Sequence, residues 1–219
     1  MPPDDIGPIL LTPVGAQRYV IRKRHPMLVR DWEIGPHGRF GSASVIGPDL
    51  LDNCLVRIHS RCLHGEVLRS DDCDCGSELE MALDLIQDAD AGVLIYLEQE
   101  GRGAGLIAKA RAYQHGERTG DNTYASYRAL GLPPDSRTYE HAVAALLEFG
   151  LRSLRLLTNN PEKTAAARAA GLVVTQVPLH TPPRSERARL YLEAKRQYGH
   201  HLPTYPRWRL RLRGLRDRQ

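Results

Sequence analysis

Three of the four cysteines in this chain are clustered, and that clustering constrains its structure more than any other feature. Cys62, Cys73 and Cys75 follow one another closely, and Cys54 lies just upstream. In a reducing compartment, clustered thiols are more often metal ligands than disulfide partners. Thiolates suit zinc, so the cluster predicts a zinc site.

The number of ligands decides what such a site could do. Three thiolates leave one zinc position open for water, as a catalytic site requires. A fourth ligand from Cys54, His59 or His64 would close the site and make it structural. Buried thiols without any metal are the third alternative. The spacing alone leaves these alternatives open.

Composition argues against a membrane protein, and the positive charge is confined to one end of the chain. No apolar stretch approaches the about 20 residues that a membrane span needs, and the start, MPPDDIGP, lacks the features of a signal peptide. We therefore expect a cytoplasmic protein. The net charge of +4 is concentrated in the last residues, 207–219, which hold six arginines. This tail is interpreted either as a phosphate-contacting arm or as a solvated terminus, and nucleic acid is not expected as a partner.

Hydrophobic periodicity predicts an α+β (mixed α/β) fold. The chain before residue 60 is β-like, with many Gly and Pro breaks, and helices and strands alternate after residue 75. We expect one catalytic domain, residues 1–202, and a basic tail, residues 203–219. The predicted helices cover 79–86, 106–113, 139–147, 161–170 and 185–198, and the predicted strands cover 93–97, 154–158 and 172–179.

Two strand-to-helix junctions are suited to binding phosphate. The glycine-rich loop EQEGRGAG, residues 98–105, lets main-chain amides approach an anion and carries Arg102. The junction LLTNNPEK, residues 156–163, offers Thr158 and Lys163 in a similar position, with Pro161 at the helix start. Two such junctions beside one metal cluster predict a polyphosphate substrate.

In order and spacing, these motifs resemble the GTP cyclohydrolase II family. The resemblance extends from about Thr12 to about His200, which is nearly the whole chain except the tail. The matching segments are VRIHS at 56–60, Cys62, CDCG at 73–76, EQEGRGAGL at 98–106, KARAY at 109–113, DSR at 135–137 and LLTNNPEK at 156–163.

The resemblance implies an enzyme that opens the imidazole ring of GTP. Formate and pyrophosphate leave, and the product is a diaminopyrimidinone nucleotide for riboflavin synthesis. It also implies one Zn2+ per chain, Mg2+ with the triphosphate, and a homodimer.

Residue roles carry over by position. Cys62, Cys73 and Cys75 would bind zinc, with water as the fourth ligand. Asp135 would be the general base, Arg137 the nucleophile at the α-phosphorus, and Tyr113 a neighbour of the reacting base. The residues implied to contact GTP are Arg57, His59, Glu78, Glu100, Gly101, Arg102, Thr123, Thr158 and Lys163.

Arginine is an awkward nucleophile, because it stays protonated in almost every protein setting. Asp135 would therefore either deprotonate Arg137 or only orient it toward charge in the transition state. Without the resemblance, an exposed helix-capping pair would be the favoured interpretation of these two side chains.

The chain departs from the family pattern at several positions. Arg61 stands where the family usually has Glu, and Asp72 where it has Arg, so the two could be a charge swap. Glu78 replaces a Gln and, if it faces the base, would accept hydrogen bonds from a donor-rich edge such as that of guanine. The segment Tyr124–Tyr127 replaces an acidic and amide stretch.

These departures leave three interpretations of function. The first is an ordinary GTP cyclohydrolase II. The second is a paralogue that retains the formyl group or uses another purine nucleotide, as in a secondary-metabolite pathway. The third is a zinc-stabilised module that binds nucleotide or nucleic acid without turnover.

Overall fold

The computed structural model describes residues 11–206, so the tail residues 207–219 lie outside the described part. Its strands are β1 (Leu11–Pro13), β2 (Arg18–Arg22), β3 (His25–Ile34), β4 (Gly41–Ile46), β5 (Cys54–Ser60), β6 (Gly92–Leu97), β7 (Ser153–Leu157) and β8 (Val173–Val177). Its helices are α1 (Leu63–Glu66), α2 (Cys75–Asp88), α3 (Gly105–Thr119), α4 (Thr123–Ala129), α5 (Glu140–Glu148), α6 (Pro161–Ala169) and α7 (Glu186–Gln197).

All of these strands belong to one mixed sheet. The order is β1-β3-β4-β6-β5-β7-β8. Strand β1 pairs with residues 32–34 of β3, and β2 pairs with residues 25–29 of the same strand. Strands β1 to β4 pair antiparallel, and β4 joins them to β6. Strands β6, β5, β7 and β8 run parallel. This arrangement confirms the mixed α/β fold with a β-rich N-terminal part.

Alternate residues of the central strand β5 face two different cores. Val56 and Ile58 pack in a core that includes side chains of α5 and α6, whereas Leu55 packs against α2. Since side chains alternate along a strand, Arg57 and His59 share the α2 face with Leu55. The polar residues of β5 therefore face the side on which the cysteines lie.

The parallel strands place the predicted motifs at one edge of the sheet. Strand β5 leads to Cys62, β6 to the glycine-rich loop, and β7 to Thr158. Strands β6 and β7 lie on either side of β5, so the order of the strands reverses there. In parallel α/β sheets, such a reversal opens a crevice outside the carboxyl ends of the strands, where ligands bind.

Most predicted elements are present, with small shifts at their ends. Helix α3 extends to Thr119, beyond the predicted end at Tyr113. Helix α4 was not predicted; the Asn122 side chain caps it by accepting hydrogen bonds from the amides of Tyr124 and Ala125. Within residues 11–206, no helix is long and apolar enough to cross a membrane.

Candidate active site

The three clustered cysteines meet in the structure. The Sγ atoms of Cys62, Cys73 and Cys75 all lie within 4.8 Å of one another, and 3.8 Å separates the first two. Tetrahedral zinc with Zn–S bonds of about 2.3 Å would hold its sulfur ligands at a similar separation. The thiols of Cys73 and Cys75, and then the Lys109 ammonium, lower the pKa of Cys62, whereas the hydrogen bond with Cys62 raises the pKa of both partners. The metal-binding thiolate is therefore favoured first at Cys62. The donor set fits a zinc ion.

Two helices bring these cysteines together. Cys62 precedes α1, and its Sγ accepts a hydrogen bond from the Gly65 amide at 3.4 Å. Cys75 is the first residue of α2. A Cβ on Gly65 would lie only 2.8 Å from the Cys73 Sγ, and a Cβ on Gly76 would collide with the Gly65 carbonyl oxygen. Glycine at both positions allows α1 and α2 to approach closely enough for the three thiols to converge.

In the described part of the chain, no fourth histidine, cysteine or carboxylate joins the cluster. Cys54 lies in the hydrophobic core, where burial raises its pKa to about 11, as expected for a core thiol. His59 is engaged with Glu66, whose Oε1 lies 2.8 Å from its Nε2. The ring of His64 lies beside that of Tyr113. The cluster that could hold a metal ion therefore consists of three thiols, and the structure does not support the closed, four-ligand alternative.

One lysine and two glutamates support the cluster. Lys109 Nζ lies 3.1 Å from the Cys62 Sγ and donates to Glu100 Oε1 at 2.8 Å. The other Glu100 oxygen accepts from the Leu63 amide at 2.7 Å. Glu66 Oε1 accepts from the Cys62 amide at 2.6 Å. These bonds fix Cys62, and the Lys109 charge compensates nearby thiolates.

The glycine-rich loop between β6 and α3 has a left-handed backbone. Gly101 has φ +60° and Gly103 has φ +83°. A Cβ on Gly101 would collide with the Gly105 carbonyl oxygen, so only glycine fits without displacement of the backbone. Arg102 also adopts a positive φ, +56°, and such strain in a residue with a side chain is typical of functional sites. This turn directs Glu100 to the cysteines and Arg102 to the neighbouring cavity.

Lysines and arginines line a small cavity beside the cysteines. Its volume is 50 Å3, and Cys75 forms part of its wall. A single described carboxylate, that of Glu78, lines it. Carboxylates pair with three of these lysines and arginines, whereas Arg102 and Lys163 have no such partner among the described residues, so the cavity favours an anion. The lysines and arginines are Arg57, Arg102, Arg137, Lys163 and Lys195.

Lys163 shows the effect of this crowding. It is buried and donates to a main-chain carbonyl at 2.8 Å. Burial, and then the charges of Arg57 and Arg137, lower the pKa of Lys163 well below its ordinary value. Thr158 lies in the same wall, and its Oγ1 accepts a hydrogen bond from the Asn160 amide. A polyanion in this cavity would favour the charged form of Lys163.

Asp135 and Arg137 form a bidentate pair. The Arg137 Nε and Nη2 donate to the two carboxylate oxygens at 2.9 and 2.5 Å, and its amide donates to Oδ1 at 3.1 Å. Burial opposes the charge of Arg137, but Tyr139 and Asp135 raise its pKa well above its ordinary value. Neither residue is the N-cap of α5, which is Tyr139. The pair therefore fixes a charged guanidinium and is not a helix cap.

Arg102 is surrounded by tyrosines. Its guanidinium carbon lies 3.5 Å from the ring centroid of Tyr124, 6.0 Å from that of Tyr127 and 5.8 Å from that of Tyr191. Its Nη1 donates to a main-chain carbonyl at 3.3 Å. Its Nη2 is buried and has no hydrogen-bond partner among the described residues. This nitrogen is available to an anion.

Glu78 has protein partners on both carboxylate oxygens. Arg57 Nη2 donates to one oxygen at 2.8 Å, and Asn159 Nδ2 donates to the other at 3.0 Å. Lys195 Nζ lies 3.6 Å from the same carboxylate and donates to both oxygens of Asp74. Burial opposes ionisation, but Lys195 and Arg57 hold the pKa of Glu78 well below its ordinary value. Direct contact of Glu78 with a base stays a prediction.

Tyr113 and Thr123 lie away from the basic cavity, next to the cysteines. Both line a second 50 Å3 cavity together with Cys62, Cys75 and Arg137. They also line a groove of 500 Å3 between α3, α4 and α7. Burial raises the pKa of Tyr113, so its phenol stays protonated at neutral pH. The groove continues the site beyond the cysteines.

The proposed charge swap between Arg61 and Asp72 is wrong. Arg61 Nη1 pairs with Glu98 Oε2 at 2.7 Å. Asp72 accepts a hydrogen bond from Ser70 at 2.9 Å and lies 3.8 Å from Arg187. No ion pair within residues 11–206 joins the two, because each charge already has a local partner.

Sequence reasoning missed several residues of the site. Many of their contacts join residues that are distant in sequence, and no local pattern marks such contacts. Tyr96 of β6, for example, donates a hydrogen bond at 2.6 Å to Glu66 of α1, which lies 30 residues earlier in the chain. The missed residues that line the basic cavity or support the cysteines are Glu66, Asp74, Asn159, Asn160, Tyr191, Lys195 and His200.

A family model described as GTP cyclohydrolase II matches residues 29–178 of this chain. The match begins within β3 and ends just after β8, and so includes the cysteine cluster and both junctions that were predicted to bind phosphate. The chain belongs to the GTP cyclohydrolase II family. This membership confirms the family resemblance and the assignment of the chain as an enzyme.

Curated relatives agree with this family. A GTP cyclohydrolase-2 of Neisseria gonorrhoeae is 46% identical over 149 residues, which are 68% of this chain and 75% of that protein. The riboflavin biosynthesis protein RibBA of Salinispora tropica is 40% identical over 193 residues, 84% of this chain and 47% of that protein. A probable bifunctional riboflavin biosynthesis protein RIBA 2 of Oryza sativa is 48% identical over 149 residues, 67% of this chain and 27% of that protein.

Among solved structures, this chain has a low similarity to RibBX of A. baumannii. That protein is a two-domain 3,4-dihydroxy-2-butanone 4-phosphate synthase. The TM-score is 0.35 and the identity 13%, over 78% of this chain and 41% of that chain. A likeness at this level supports no argument about the GTP cyclohydrolase II site.

Proposed function

We propose that this protein is a zinc-dependent GTP cyclohydrolase II that opens the imidazole ring of GTP and releases formate and pyrophosphate. The observation that carries the proposal is the adjacency of a three-thiolate cluster and a cavity lined by five lysines and arginines. Cys75 belongs to both. A purine nucleoside triphosphate needs this combination, because its phosphates require cations and its ring carbon requires an activated nucleophile.

The basic cavity binds the triphosphate. Arg102 offers an unpartnered nitrogen, and Lys163 regains its charge when phosphate approaches. Thr158 offers a hydroxyl in the same wall. Mg2+ accompanies the phosphates, since it binds nucleotides chiefly through phosphate oxygens.

Arg137 stabilises negative charge at the α-phosphate while pyrophosphate leaves. Asp135 holds the guanidinium in position with two hydrogen bonds and keeps it protonated. A protonated guanidinium has no free electron pair, so Arg137 acts through its charge and does not form a covalent bond with phosphorus.

The purine base lies beside the cysteine cluster. Tyr113 and Thr123 line the space between Cys62, Cys75 and the 500 Å3 groove, so they contact the base end of the nucleotide. Zinc held by Cys62, Cys73 and Cys75 would supply a nucleophilic oxygen at neutral pH through its open position. Lys109 and Glu100 orient the cysteine side of the site.

Metal removal tests the proposal. The purified protein, stripped of metal and then loaded with zinc, is incubated with GTP and Mg2+, and formate and pyrophosphate are assayed separately. We expect zinc-dependent release of both, and loss of both in Cys73→Ser. Release that is independent of zinc, or no turnover of GTP by the zinc-loaded protein, would overturn the proposal.

The same proposal extends to assembly and location. We expect a homodimer in the cytoplasm, as the family resemblance implies. Sedimentation of the zinc-loaded protein at micromolar concentration measures the oligomeric state, and a stable monomer would contradict the homodimer.

A further inference from the structure

His200 lines the basic cavity and has no role in the function proposed for it. It follows α7, and it shares the wall of the cavity with Arg137, Thr158 and Lys163. Its Nδ1 is buried and has no hydrogen-bond partner among the described residues. A buried nitrogen without a partner is unfavourable unless a ligand pairs with it.

The main chain fixes this imidazole in place. The His200 amide donates to the Lys195 carbonyl at 3.1 Å, at the end of α7. The next amide, that of His201, donates to the Asn159 carbonyl at 2.8 Å and ties the turn to the phosphate-binding junction after β7. The position of His200 in the cavity is therefore built into the fold.

Cations face His200 from three separate elements. Lys195 comes from α7, Arg137 from the segment before α5, and Lys163 from α6, whereas Glu78 of α2 is the acidic group that faces it. Burial, and then the charges of Lys195 and Arg137, lower the pKa of His200 to about 2. The imidazole is neutral in the free protein, and an arriving polyanion would reverse the field that keeps it so.

We propose that His200 is an additional binding residue for the phosphate chain of the nucleotide. On binding, the imidazole takes up one proton from solvent, and Nδ1–H donates a hydrogen bond to a phosphate oxygen. No covalent bond forms or breaks. The inference rests on the proposed function, because it takes the phosphate chain of GTP to occupy the basic cavity.

The adjacent His201 provides a matched control. Its Nδ1 lies 3.0 Å from the Gln176 amide nitrogen, and its side chain is exposed. Substituting it changes the same residue type at the next position without altering the wall of the cavity.

Steady-state kinetics with GTP compare His200→Asn with His201→Asn. We expect the His200 variant to raise KM about tenfold, the effect of losing one charge-assisted hydrogen bond, and the His201 variant to match wild type. The affinity of wild type for inorganic pyrophosphate should fall more steeply between pH 6 and 8 than that of His200→Asn. Unchanged KM and pH dependence in the His200 variant would overturn the proposal.

A spectroscopic measurement on wild type keeps the test independent of variant folding. Histidine-labelled protein is titrated with inorganic pyrophosphate, and the ring signal of His200 is followed by NMR. We expect it to move toward the protonated position, whereas a signal that stays at the neutral position contradicts the proposal. If wild type binds pyrophosphate in this way but does not turn over GTP, the proposed function fails and the role of His200 stands.

Discussion

Arg137 is the residue whose chemistry depends most on its neighbours. Asp135 holds it through two side-chain hydrogen bonds, and Arg137 lines both the basic cavity and the second cavity beside the cysteines. A lysine at this position would carry the same charge, but it could not present the planar, bidentate geometry that the carboxylate holds. The position of the charge, more than its presence, is what the site provides.

Replacing Arg137 by Lys should therefore lower kcat for GTP by about 10²- to 10³-fold, with a smaller change in KM. Steady-state release of pyrophosphate measures both constants. Arg152→Lys, at an exposed position, is the matched control and should match wild type. An Arg137→Lys enzyme within twofold of wild type would show that the guanidinium is not needed.

Cys54 and Cys73 should respond differently to serine. Cys54→Ser places a hydroxyl in the hydrophobic core, so we expect the free energy of unfolding to fall by about 1–3 kcal/mol while zinc content stays at one per chain. Cys73→Ser removes one of the three thiols proposed to bind zinc and should lose most of the metal. Metal analysis with denaturant titration measures both. Zinc loss in Cys54→Ser would mean that Cys54 ligates the metal.

At the scale of elements, most of the correctly predicted helices and strands were identified from hydrophobic periodicity. The ends of the predicted helix at 161–170 and of the predicted strand at 154–158 lie within one residue of the ends of α6 and β7. Their apolar patterns and their Pro and Gly boundaries are strong signals. Helix α4 escaped prediction, since it is short, rich in tyrosine and buries side chains on more than one face. The order of the strands is set by long-range pairing, which no local pattern contains.

The contact between α1 and α2 makes Gly65 a test of the cluster. In Gly65→Ala, the new Cβ meets the Cys73 Sγ at 2.8 Å and must displace it. We expect zinc affinity to fall about 10- to 100-fold, as for other changes around metal ligands. Competition with a zinc chelator measures this affinity.

Gly150→Ala is the matched control. Gly150 has φ +81° and open space around it, so alanine there should destabilise the fold by about 1 kcal/mol without altering zinc affinity. Equal loss of zinc affinity in both variants would attribute the effect to general destabilisation rather than to the contact with Cys73.

For the whole molecule, the topology decides where the motifs meet. The sequence identified the cysteines, the glycine-rich loop and the Thr158 junction, and the reversal of strand order around β5 brings them to one edge. The supporting network could not be predicted. Lys195 lies 121 residues from its partner Asp74, for example. Such ion pairs depend on the final packing of α7 and leave no trace in local periodicity.

Stability should fall as the pH falls below about 6.5. Burial first, and in part the neighbouring cations, lower the pKa of both His59 and His200 in the folded state. On acidification the unfolded chain therefore binds protons before the folded protein does. The contribution of these two histidines to the free energy of unfolding is fully present above about pH 6.5 and declines below it. Urea titrations at pH 7.5 and 5.5 measure the decline, which should be smaller in His200→Asn. Equal declines in the two proteins would contradict the buried, neutral state of His200.

The fate of carbon C8 of GTP tests the central claim most directly. Zinc-loaded protein is incubated with Mg2+ and GTP carrying a 13C label at C8, and the products are identified by mass spectrometry. We predict labelled formate, pyrophosphate and an unlabelled diaminopyrimidinone nucleotide. Label retained as a formyl group on the pyrimidine would show that the second hydrolysis is absent, and label remaining in intact GTP would contradict the account as a whole.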